Sequence, residues 1–189
     1  MRGVPAVLAL AAFQLAAEGL VPMLLMAIHR ERFSGYGFKL RNAARSIVLA
    51  MVLAALYDLG LSWQAGAWLW VPLYRHTAVR LSLAAGLPLS LLGLAVTIAV
   101  WGWLEGFFGV FFARRVDQAL GHDGTGWFAS GAVAFGLFNG ALHLAIGQGM
   151  VGFLTSFASG YVIGVIPAVT RNAWGSTVFQ SLTNSIGRL

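Results

Sequence analysis

One apolar run, residues 81–112, carries a single charge, Glu105. As one helix it measures roughly 48 Å, against a hydrocarbon core of ~30 Å. It reads as one long span, tilted or projecting, with Pro88 as its kink. A charged residue inside such a run costs about 2.5–3.5 kcal/mol on insertion scales and is a functional-site hypothesis by default. The rest of the chain agrees. Of its 189 residues 59% are hydrophobic and 10% charged, with a mean hydropathy of +0.79. Soluble domains carry about 25% charged residues. The predicted class is therefore all-α: a polytopic transmembrane helical bundle, one domain over residues 1–189.

Six spans are expected, at residues 4–28, 46–63, 81–112, 127–146, 150–169 and 173–186. The first is too long for a signal-peptide core and lacks a small-residue cleavage site followed by a soluble domain, so it reads as retained. Glu18 lies inside it and Pro22 is a kink candidate. Residues 29–45 form a basic segment whose Phe33, Tyr36 and Phe38 suit the headgroup level. A second loop, residues 61–80, gathers Trp63, Trp68, Trp70 and Tyr74 as an aromatic belt. Arg114, Arg115, Asp117 and residues 121–126 make a polar turn, and 147–149 and 170–172 make shorter ones. Glycines and serines are frequent in the fourth and fifth spans, which suits close helix packing.

The net charge of +6 resembles a nucleic-acid signal, but its distribution excludes one. Arg30, Arg32, Lys39, Arg41 and Arg45 crowd the first loop. With Arg114, Arg115 and Arg171 that side holds eight basic residues, against Arg2, Arg75, Arg80 and Arg188 on the other. The positive-inside rule then puts loop 29–45 in the cytoplasm and both termini outside. There is no cysteine, which excludes disulfides, thiolate nucleophiles and cysteine metal sites. His29, His76 and His122 read as solvated loop residues.

Helix rise sets the depth of the remaining polar groups. Glu105 is nine residues from Arg114, about 13 Å. Asn139 is about 13 Å from Ser130 and His143 about 20 Å; Gln180 is about 12 Å from Asn172 and Asn184 about 18 Å. Asn139 and His143 share a helix face, as do Gln180 and Asn184. Three helices thus bring polar groups to a common level. Three readings compete. In a hydrolytic site, Glu105 activates water and His143 assists. A metal site is disfavoured, since zinc normally takes three protein ligands and only one histidine is deep. No cofactor is expected. In the third reading the cluster is interhelical glue, worth about 0.6 kcal/mol per hydrogen bond on average.

The C-terminal half resembles the CPBP family of intramembrane proteases, known by the motifs EExxxR, FxxxH and HxxxN. The run 153–164, the turn Thr170-Arg171-Asn172-Ala173-Trp174 and Gln180-Ser181-Leu182-Thr183-Asn184 look like the family's last two helices. Phe38-Lys39-Leu40-Arg41 looks like its G-L-R element. The CPBP-like region is about 81–187. Motif one reads Glu105-Gly106-Phe107-Phe108-Gly109-Val110, with glycine for the second glutamate and valine for arginine. Motif two aligns either as Phe135…Asn139 or as Asn139…His143, and motif three keeps Asn184 but has Gln180 for histidine.

The resemblance implies an integral protein of a prokaryotic inner membrane. It is either a divergent endopeptidase in which Glu105 and His143 activate water, with Asn139, Gln180 and Asn184 supporting, or an inactive relative serving as subunit or assembly factor of a membrane complex. The expected partners are the lipid bilayer and a membrane-protein substrate or partner complex, not nucleic acid. A proton-relaying transporter is a third class; six short spans without a repeat argue against alternating access.

Overall fold

The structure is a computed structural model that describes residues 9, 11–66 and 86–183. Among them the regular structure is helical throughout, in six helices. We number them α1 (Ala11–Ile28), α2 (Ala43–Ala65), α3 (89–119), α4 (Ser130–Ala145), α5 (Gly149–Thr170) and α6 (Trp174–Thr183). α3 is composite and runs through Leu89–Val96, Thr97–Leu104 and Glu105–Ala119. α1, α2 and α5 are long and apolar enough to cross a membrane; α4 is apolar but shorter. The aromatic loop expected at 61–80 begins inside α2, which runs on to Ala65 and carries Trp63; residues 67–80 of that loop and Asn184 lie outside the described residues.

Glycine decides how closely the helices pack. A Cβ at Gly164 of α5 would lie 2.6 Å from Ala132 Cα of α4, and one at Gly160 3.1 Å from the Phe135 carbonyl. α3 meets α6 at Gly106, where a Cβ would lie 2.7 Å from Thr177 Cα. α6 meets α2 at Gly175, 2.2 Å from the Ser46 carbonyl. Lipid offers helices no hydrophobic drive to associate, so backbone proximity of this kind is a main source of packing energy. Phe107, Ile163, Ile166 and Phe179 fill the centre between α3, α5 and α6.

Boundaries in α3 and α4 differ from the sequence reading. α3 begins after Pro88, whose carbonyl accepts the N–H groups of Leu91 and Leu92, so proline starts this helix instead of kinking it. The distortion in α3 is a π-helical stretch, Thr97–Leu104. Its other end runs on to Ala119, so Arg114, Arg115 and Asp117 are helical and the turn starts at Leu120. α4 starts at Ser130, not Trp127. The Asp117 carboxylate accepts the Gly131 N–H at 2.7 Å, which fixes the first turn of α4 against α3 and leaves Trp127 and Phe128 outside, the latter 90% exposed.

The basic segment also folds differently. Phe33–Tyr36 form a 3₁₀ turn, and Tyr36 is only 5% exposed, stacked on Phe111 at 5.4 Å. Phe38 packs against Phe107 and Trp174. Tyr36 and Phe38 are thus part of the bundle, while Phe33 keeps an exposed face. Asn172 holds the segment in place. Its Nδ2 donates to the carbonyls of Lys39 (2.6 Å) and Arg41 (2.9 Å), and its Oδ1 caps α6 at the Trp174 N–H. Asn42 donates to the Thr170 carbonyl, and Ser46 to that of Asn172.

Candidate functional site

Glu105 sits where α1, α3 and α6 converge. Gln14 of α1 donates through Nε2 to Glu105 Oε1 at 2.9 Å, and Gln180 of α6 donates to Glu105 Oε2. The same Gln14 nitrogen reaches Glu18 Oε1 at 3.5 Å. One carboxamide therefore bridges two carboxylates on different helices. The backbone allows this approach. A Cβ at Gly19 would lie 3.1 Å from Leu104, and one at Gly102 only 2.0 Å from Ser181 Oγ. Both supporting helices are π-helical here, Leu15–Leu20 around Glu18 and Thr97–Leu104 just before Glu105. Such wide turns are frequent at functional sites.

Of the other residues singled out in the sequence, Asn139 and His143 turn toward α5. Asn139 Nδ2 donates to the Ser156 carbonyl at 2.9 Å, and its Cβ lies against Gly160. His143 Nδ1 is 2.8 Å from Gln148 Oε1 in the α4–α5 turn. The structure thus joins Glu105 to Gln180 and ties Asn139 and His143 into the α4–α5 pair. No group of three or more histidine, aspartate or glutamate side chains gathers among the described residues. Sequence reasoning missed Gln14. Its signal was its one-turn spacing from Glu18 within an apolar span.

A second polar feature lies at the end of the bundle that carries the basic segment. A cavity of about 150 Å³ is lined by Lys39, Arg114, Arg171, Asp117 and Asp123, among others. Arg114 donates to the Asp123 carbonyl at 3.2 Å. Thr125 donates to both Asp123 carboxylate oxygens through Oγ1 (2.7 Å) and N–H (3.1 Å), and its hydroxyl bond is the main reason that carboxyl lies below its ordinary value. Beside the cavity, Glu31 receives Arg115 Nη2 at 2.8 Å and the Tyr36 hydroxyl at 2.5 Å. Burial first, and the bond to Glu31 second, raise the Tyr36 phenol above its usual range.

No family model, curated protein or solved structure matches this chain. The geometry therefore carries the functional argument alone.

Proposed function

We propose that this protein is an integral membrane protein of CPBP-like arrangement without a proteolytic centre, serving as a subunit or assembly factor of a membrane protein complex. The observation that carries this reading is the hydrogen-bonding of Glu105 to the carboxamides of Gln14 and Gln180. A carboxamide donates a hydrogen bond but exchanges no proton near neutral pH, so it cannot share acid–base work with a carboxylate. The Gly106 site adds to it. A side chain at this second-glutamate position would run into the α6 backbone at Thr177, so the motif's paired glutamates do not fit this helix crossing.

On this reading the protein lies in a prokaryotic inner membrane with about six spans. Residues 29–45 face the cytoplasm and both termini the other side, as basic residues favour. The exposed apolar faces, such as Val48, Met51, Val52, Leu56 and Leu59 of α2, meet lipid or the partner complex. The cavity rimmed by Lys39, Arg114 and Arg171 suits anionic headgroups. The test is purification from its native membrane in mild detergent. A stoichiometric membrane partner is the expected result; a homogeneous monomer under the same conditions refutes the subunit role.

One observation favours the endopeptidase instead. Glu18 reaches the same Gln14 nitrogen as Glu105 and so supplies a second carboxylate from α1. That reading requires cleavage of membrane-embedded or prenylated peptides that Glu105→Gln abolishes. Absence of cleavage by the wild-type protein supports the inactive reading.

A further inference from the structure

Three oxygens of the cluster around Glu105 lack a hydrogen-bond partner among the described residues. Gln14 Oε1, Glu18 Oε2 and Gln180 Oε1 are buried and have no hydrogen-bond partner. Gln180 as a whole is 8% exposed. A buried acceptor left unsatisfied is destabilising. Each such atom in a native structure calls for a reason, an ion being one. The three belong to one place. Covalent geometry sets the oxygen of a carboxamide beside its nitrogen, and both carboxamide nitrogens touch Glu105. Gln14 also touches Glu18.

We propose that Gln14, Glu18, Glu105 and Gln180 form a binding site for a small hard cation between α1, α3 and α6. The donor set selects the class. Carboxylate and carboxamide oxygens suit sodium and calcium, whereas the cluster offers no sulfur or imidazole for softer metals. Charge points the same way. When both carboxylates are ionised they repel one another, and a cation between them offsets that repulsion. The orphan oxygens are the atoms a cation would take without breaking the bonds that orient Glu105. The π-helical turns in α1 and α3 locally widen the two helices that carry the carboxylates. The site stands on these contacts and is independent of whether the chain serves as a subunit.

The test is thermal unfolding of the purified full chain in nanodiscs, with calcium chloride, sodium chloride or choline chloride at matched ionic strength. A saturable rise in Tm with calcium or sodium, but not choline, is expected, about 5–10 °C at a hundredfold excess over Kd. The effective ion identifies the valence. Glu18→Gln should remove the rise while leaving Tm in choline within a few degrees of wild type; Gln180→Leu should remove it as well, from a lower Tm in choline, because Glu105 loses a donor. A second measurement needs no variant: dicyclohexylcarbodiimide should modify Glu18 or Glu105 in choline, and the effective cation should protect that peptide, as read by mass spectrometry. Equal shifts in all three salts, a Tm that responds to pH alone, a rise that survives both substitutions, or labelling that no cation changes would each overturn the proposal.

Discussion

Asn172 joins three segments with one side chain. It satisfies two carbonyls of the first loop and caps the last helix, and it is fully buried. Asn172→Ala leaves those carbonyls without their donor and α6 without its cap. We expect a loss of about 2–4 kcal/mol, read as a lower unfolding midpoint in nanodiscs. Gly106→Ala should cost about 1–3 kcal/mol, since its Cβ would press on the Thr177 backbone. Tyr36 supplies the pH dependence. Its folded-state pKa lies above the ordinary phenol value, so its contribution is complete below about pH 10 and falls as pH rises further. Tyr36→Phe should flatten that alkaline limb in a pH series of Tm. At this scale the sequence was only partly legible. Glu105 stood out as a lone charge in an apolar run, and Gln180 was singled out with it. Asn172 read only as a turn residue, because hydrogen bonds to carbonyls some 130 positions away leave no local pattern.

The helices themselves were the most legible level. Apolar length located all six, and the glycines expected to pack the fourth and fifth spans do bring α4 and α5 together. What periodicity missed were ends and distortions set by single contacts, such as the Asp117 carboxylate fixing the start of α4 and the π-helical turns of α1 and α3. Gly164→Val should separate α4 from α5, because a Cβ there already lies 2.6 Å from Ala132 Cα. A loss of about 1–3 kcal/mol is expected. The same substitution should raise the reactivity of a cysteine placed at Ala132 toward a small maleimide.

For the whole molecule, charge distribution was readable and helix arrangement was not. Counting basic residues yields an orientation but does not say that α6 lies against α2, or that α1 reaches Glu105. The orientation is testable because the chain has no cysteine. Ser34→Cys should react with an impermeant maleimide only from the cytoplasmic side. Ala145→Cys, at the C-terminal end of α4 beside the α4–α5 turn, should react only from the other. Labelling of both from one side would reverse or break the proposed topology.

The link between Asn172 and the first loop also has a consequence in time. Its bonds to Lys39 and Arg41 join positions 133 and 131 residues apart. At 5–20 residues per second, the ribosome needs roughly 7–26 s to make that stretch. Throughout that interval the carbonyls of Lys39 and Arg41 await the donor that finally secures them. The loop is thus made well before the residue that locks it. During synthesis, therefore, a chaperone or protease would find this segment open long after α2 has formed.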